Sequence, residues 1–253
     1  MRVAIHQPEY MGYMGFYNKM MNSDAWIFLD NVQLAKRDFM RRNQIRTPEG
    51  SKMLAVPIIT KGRYYQLIHE VEIDNSQDWR KSHWMTITQN YRRAPHFKPY
   101  ADYVAPIYQA EWSKLADLNI TLIKTMAQLL GVERPCYKAS ELGVEGKSSQ
   151  LLADLTKAVG GDVYLSGPMG RDYLEHDLFA ERGLRLEFND FKHPVYTQHP
   201  GGEFVPYMAA IDLLFNHGPE ARAIIAHGSV LAAQAFAAER TQLAPVSAAA
   251  ASD

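Results

Sequence analysis

The amino-acid sequence reads as a three-layer α/β fold: a mainly parallel sheet flanked by helices, with a β-hairpin and a helical segment inserted between its strands. Apolar runs at residues 2–6 and 25–29 bracket a helical stretch at 13–22, which is the rhythm of a βαβ opening. The second half alternates again, with strands at 137–139, 163–166 and 184–188 and helices at 148–159 and 171–182. The Gly160-Gly161 and Gly183 stops punctuate that alternation.

The first run, Arg-Val-Ala-Ile-His6, reads as a buried strand cut off by Pro8, which has no N–H to continue a ladder. Residues 40–59 predict two strands joined by Thr47-Pro48-Glu49-Gly50, where proline presets φ and glycine tolerates a positive one. A further strand is expected at 68–73, then a helix capped by Asp78 and running toward Arg93. Helices are expected at 97–109 and 112–130, the latter ending at Gly131, and at 212–216. Residues 1–228 read as a single domain, and the Ala-rich stretch 229–253 as a helix fraying into a tail.

At 253 residues, 47% hydrophobic and 22% charged, the composition is that of an ordinary globular protein and excludes collagen-like, disordered and highly charged classes. The net charge of −1 hides an excess of Lys/Arg in the first half and of Asp/Glu in the second. That split favours an anionic ligand on the first half, but without an overall basic balance nucleic acid is not an expected partner. No apolar run approaches the roughly 18 residues of a spanning helix, and the opening turns polar too soon for a secretory signal. A cytoplasmic location without membrane contact is therefore expected. The single cysteine, Cys136, excludes an internal disulfide and reads as core. The nine histidines show no metal-ligand spacing, so no metal is expected, and no Gly-x-Ser-x-Gly elbow is present.

Two histidines are candidate acids or bases: His6, at a strand end with Gln7 beside it, and His193, in Phe191-Lys-His193-Pro194. Asp30 lies at the same predicted sheet edge as His6 and is grouped with them. Residues 29–45 interleave Asn31, Gln33, Lys36, Arg37, Arg41, Arg42 and Asn43, side chains suited to phosphates, carboxylates and sugar hydroxyls. Tyr10 is added as a binding residue, as are Ser166, Gly167 and Tyr173, where a strand passes into a predicted helix and backbone amides would face an anion. Gly146-Lys147-Ser148 resembles the tail of a P-loop, but Glu141 stands where the pattern needs glycine, and a serine helix cap accounts for it.

His6-Gln-Pro-x-Tyr10, Phe-Leu-Asp-Asn31-x-Gln33, Lys36-Arg37, Arg42-Asn43, Tyr164-Leu-Ser-Gly167 and Ile-Asp212-Leu-Leu-Phe-Asn216 together resemble the WbqC-like proteins over residues 2–218. Met11-Gly12-Tyr13 and Leu34 depart from the usual Pro-Trp and Phe of that family. The resemblance implies a site built on His6, Gln7, Asp30, Asn31 and Gln33, and a setting in surface-glycan or related small-molecule biosynthesis. A looser likeness to nucleotidylyl-transferring and pantothenate-synthetase-type enzymes keeps ATP among the expected ligands. The leading expectation is an acyl- or aminoacyl-transferase that forms an amide on an amino acceptor such as an amino sugar. His6 would act as base, Gln7 and Asn31 would polarise the carbonyl, and Arg37, Arg41 or Arg42 would hold a nucleotide sugar's diphosphate or a phosphopantetheine thioester, free or on a carrier protein. The alternatives are an ATP-dependent ligase or nucleotidyltransferase, and a non-catalytic binding subunit of a glycan-assembly complex.

Overall fold

The computed structural model describes residues 1–35 and 39–228. The chain opens with β1 (Arg2–His6), α1 (Met14–Met21) and β2 (Ala25–Phe28). The inserted part follows, as β3 (Arg42–Thr47), β4 (Gly50–Ala55), α2 (Trp79–Tyr91), α3 (Phe97–Gln109) and α4 (Leu115–Leu129). The alternation then resumes with β5 (Cys136–Lys138), α5 (Ser148–Ala158), β6 (Val163–Ser166), α6 (His176–Glu181) and β7 (Arg185–Phe188), before α7 (Ala210–His217) and α8 (Ala221–His227).

Five strands form one parallel sheet in the order β5-β2-β1-β6-β7, and β3 and β4 form a separate antiparallel pair. β1 is central: Ala4 pairs with Trp26 on one side and Leu165 on the other. Strand pleating sends alternate residues to opposite faces, and two cores result. Val3, Ile5, Ala25, Ile27 and Tyr164 meet Leu151 and Leu155 of α5 and Phe179 of α6. Ala4, Trp26, Phe28 and Leu165 face the larger core, with Phe16, Tyr17 and Met20 of α1, Leu122 and Met126 of α4, and Ile225 of α8. Each large side chain removed from water there stabilises the fold by about 1.5–3 kcal/mol. The expected three layers are present.

All eight residues of α1 are buried, its two polar members included. Asn18 gives its amide to the Ile225 carbonyl (2.9 Å) and accepts from Asn189 (3.0 Å) and Asn22 (3.3 Å). Lys19 donates to the Ile5 carbonyl at 2.8 Å. α1 is thereby locked to β1, to α8 and to the segment after β7.

Four local readings are corrected. Residues 68–73 form no ladder; Ile68–Glu70 is a 3-10 turn, closed by the Glu70 carboxylate accepting from the Leu67 N–H (2.9 Å), with single bridges at Leu67 and Ile73. The helix expected over 171–182 is split into a 3-10 turn at Pro168–Asp172 and α6, because Arg171 is held by a fork to Asp190 (2.8 Å to each oxygen) and the Phe188 ring. Asp78 does stand at the N-cap of α2 but makes no side-chain cap bond. α5 has Lys147 at its N-cap without a side-chain bond, so the serine cap is absent, and buried Ser149 instead accepts from the Glu175 N–H at 3.1 Å. The Ala-rich stretch 229–253 lies outside the described residues. No helix among the described residues is long and apolar enough to cross a membrane.

Candidate functional site

In an open parallel sheet, ligands sit beyond the carboxyl ends of the strands, where neighbouring connections leave in opposite directions. Here that switch lies between β1 and β6, because β1 connects to β2 on one side and the later β6 takes up the other. His6, Gln7 and Glu9 follow β1 at this edge, Asp30 and Asn31 follow β2, and Ser166 and Gly167 close β6.

His6 is built into the wall of this edge. Its ring meets Phe16 edge-on at 5.0 Å and stacks on Trp26 at 6.1 Å. Nδ1–H donates to the Gln7 carbonyl at 3.0 Å, which leaves the Nε2 lone pair unused by that bond, 3.9 Å from the Glu9 carboxylate. The side chain keeps 31% exposure. Burial, reinforced by the Lys19 ammonium, lowers the imidazole to about 3. His6 is therefore an uncharged imidazole at neutral pH, the form that can accept a proton.

Lys19 and Glu9 escaped sequence reasoning. Lys19 is 5% exposed, and burial lowers its amine to about 7 against the opposing pull of Glu9. The signal was a lone lysine in Met-Gly-Phe-Tyr-Asn-Lys-Met-Met, a helix otherwise without charge. Glu9 acts on Tyr13 and Tyr17 as well, pushing both phenols up in support of burial. The Tyr17 hydroxyl and the Trp26 indole N–H are buried without a hydrogen-bond partner beside this group.

Several expected site residues serve the scaffold. Asp30 is buried and accepts from the Ser140 N–H (2.9 Å) and hydroxyl (2.7 Å), tying the end of β2 to the turn after β5. Tyr10 is buried and meets His83 and Tyr108, each at 2.8 Å. Asn43 donates to the Tyr10 carbonyl (3.1 Å) and accepts from the Gln44 N–H (2.8 Å). Ser166 is buried, and its carbonyl accepts from Asn189 N–H at 2.8 Å. Asn31 keeps a buried carbonyl oxygen unpaired, Gln33 is exposed, Arg41 reaches the Val56 carbonyl (3.4 Å), and Arg42 opens β3 opposite Ala55. Gly167 is half-buried and Tyr173 exposed on the β6 side of the edge. Lys36 and Arg37 lie outside the described residues.

His193 is far from His6 in sequence but is joined to it by contacts running through Glu9, Tyr13 and Tyr207. Its Nδ1–H donates to the Pro194 carbonyl (2.9 Å) and its Nε2 accepts from the Tyr207 N–H (3.2 Å). Both nitrogens are committed to backbone, and burial lowers its pKa. His193 is thus held as a neutral ring with both nitrogens engaged.

A cavity of about 260 Å³ lies at the opposite, amino-terminal edge of the sheet, lined by Lys124, Arg134 and Cys136 among others. Burial raises the Cys136 thiol, which disfavours the thiolate. Among the described residues no group of three or more His, Cys, Asp or Glu side chains is placed to hold a metal ion.

A parallel α/β protein whose strand-end crevice gathers His6, Gln7 and Glu9 defines the general class. The WbqC-like protein family matches residues 7–224, and the chain belongs to that family. It is 35% identical over 222 residues to the uncharacterized protein Rv1507c of Mycobacterium tuberculosis, covering 87% of this chain and 95% of that protein. No solved structure gives a significant match.

Proposed function

We propose that the protein is an acyl- or aminoacyl-transferase that joins an activated acyl group, such as a phosphopantetheine thioester, to the amine of an amino sugar or similar acceptor. The observation that carries this reading is the His6 imidazole, locked by Nδ1–H to the Gln7 carbonyl with Nε2 presented beside Glu9 at the switch crevice. Direct aminolysis of a thioester needs positioning and one proton acceptor, and no covalent enzyme intermediate. His6 Nε2 accepts the proton released as the amine nitrogen bonds to the acyl carbon, and returns it to the thiolate sulfur as the C–S bond breaks. Glu9 stabilises the imidazolium so formed.

Lys19 sets when this works. Its positive charge holds the imidazole down, and its amine titrates near pH 7, so loss of that proton makes His6 a better base. Turnover rises with pH through about 7 as Lys19 discharges. Arg41 and Arg42, with Lys36 and Arg37 upstream, supply the cations for a diphosphate or phosphopantetheine.

The test incubates the protein with acyl-phosphopantetheine and a nucleotide-linked amino sugar and follows the amide by mass spectrometry. His6→Ala should lower kcat at least about 100-fold with unchanged circular dichroism, and Lys19→Met should remove the rise near pH 7. Undiminished turnover in His6→Ala overturns the reading. The β1/β6 switch crevice also favours a nucleotide, which keeps an ATP-dependent ligase as the second reading. A melting-temperature rise specific to ATP and magnesium would select it.

A further inference from the structure

Four aromatic rings close on one another next to Glu9. Tyr13 neighbours Phe191 at 6.4 Å, Phe191 neighbours His193 at 6.1 Å, His193 neighbours Tyr207 at 5.0 Å, and Tyr207 returns to Tyr13 at 6.4 Å. Adjacent planes meet at 57–76°, so the rings stand as walls rather than as a stack. We propose that Tyr13, Phe191, His193 and Tyr207 form a box for an organic ammonium group of a ligand.

The dimensions suit that cargo. The centre of four rings so spaced lies within the roughly 6 Å reach of cation–π attraction from each centroid. Tyr13 and Phe191 pack against the large core, whereas Tyr207 is 58% exposed and His193 half-buried, so the group of rings meets solvent on the Tyr207 side. Its fourth wall adds no repulsion: His193 is held uncharged by its two backbone bonds.

The surrounding chain is shaped to hold the rings where they are. A side chain at Gly15 would meet the Tyr13 hydroxyl at 2.4 Å, and one at Gly228 would meet the Phe191 ring at 2.1 Å. Both glycines clear space for a wall. Tyr207 sits at φ 61°, a left-handed conformation that costs a non-glycine residue about 1–2 kcal/mol. Such strain persists only where neighbours enforce it, and it collects at binding sites. Behind the box, Tyr196 and Phe204 contact His193 at 6.4 and 5.8 Å.

The inference goes beyond the acyl-transfer reading, because it concerns binding alone and is measured without turnover. Isothermal titration of the full chain compares choline with 3,3-dimethylbutan-1-ol, a neutral molecule of the same shape. Choline should bind at least about 10-fold more tightly. Tyr207→Ala should weaken choline about 3- to 30-fold, while Tyr207→Phe, which keeps the ring, should stay within about 2-fold. His6→Ala should leave choline binding intact, so failure of the transfer chemistry and failure of the box are read separately. Equal affinity for the two probes, no choline binding at tens of millimolar, or an unaffected Tyr207→Ala would each overturn the proposal.

Discussion

Two buried polar groups in this molecule show opposite design. Around Asp212, every oxygen is answered: Tyr91 donates to Oδ1 at 2.8 Å, and Tyr196 and Gln198 donate to Oδ2 at 2.6 and 2.9 Å. Gln198 also exchanges two bonds with Val205, both at 2.9 Å, and Arg46 binds the carbonyls of Thr47, Gly50, Gly201 and Glu203, with only its Nε left unpaired. Around Lys19, a fully buried tyrosine hydroxyl and an indole N–H stay unpaired, and charge is confined with little hydration. A satisfied network fixes structure, whereas an unsatisfied one retains free energy that a ligand or a proton can release. The first group holds the segment that carries Tyr207, and the second lies buried behind His6.

The contrast is sharpest under substitution. Asp212→Ala strands three donors at once and should cost about 3–5 kcal/mol in urea unfolding; a loss below about 1 kcal/mol would mean that the network is not a unit. Lys19→Met, by contrast, should stabilise the fold by about 2–4 kcal/mol at pH 7, because it removes a charge that burial disfavours.

Their pH signatures oppose each other. Asp212 binds its proton more tightly folded than unfolded, since burial raises its pKa, so its contribution falls as pH rises above the normal carboxylate range. Lys19 binds its proton less tightly folded, so its contribution rises with pH from about 7 toward 10.5, and that of His6 rises from about 3 toward 6.5. Unfolding midpoints across pH should therefore show the Lys19→Met advantage shrinking between pH 7 and 10. A constant advantage would contradict the lowered amine.

Two smaller changes refine the comparison. Asp30→Ala removes both bonds to Ser140 and should cost about 1–2 kcal/mol while sparing choline binding, as loss of a scaffold carboxylate should. Tyr207→Gly relieves the left-handed backbone and should leave stability unchanged or raised by up to about 1 kcal/mol, yet abolish the box. A variant that is markedly less stable would show that the Tyr207 ring serves packing.

Much of the architecture was legible because it rests on local signals. Pro8 ends β1 where proline must, and Pro48 and Gly50 place the hairpin turn between Thr47 and its partner Gly50. The single bridges around residues 67–73 look like a strand in the sequence because extended backbone and apolar side chains give the same pattern whether or not a neighbour completes the ladder. The strand-end position of His6 was legible, but its depressed pKa was not: it depends on Lys19 packing against β1 from α1. Tyr10 and Asn43 look like substrate-binding residues in the sequence, which shows their hydrogen-bonding capacity and not the His83, Tyr108 and Gln44 partners that use it. The box was invisible, since its walls come from residues 13, 191, 193 and 207 and meet only in three dimensions.

The central place of β1 has a consequence in time. It leaves the ribosome before the other strands of its sheet, and its edge toward β6 stays open until the chain has grown past Ser166. At ordinary synthesis rates that leaves a Val-Ala-Ile edge unpaired for about 10–30 s, with β2 alone as its early neighbour. The nascent chain thus carries a sticky ribbon through most of its translation, and expression at reduced temperature or with chaperones that shield hydrophobic strands should raise the yield of folded protein more than any stabilising substitution at the surface.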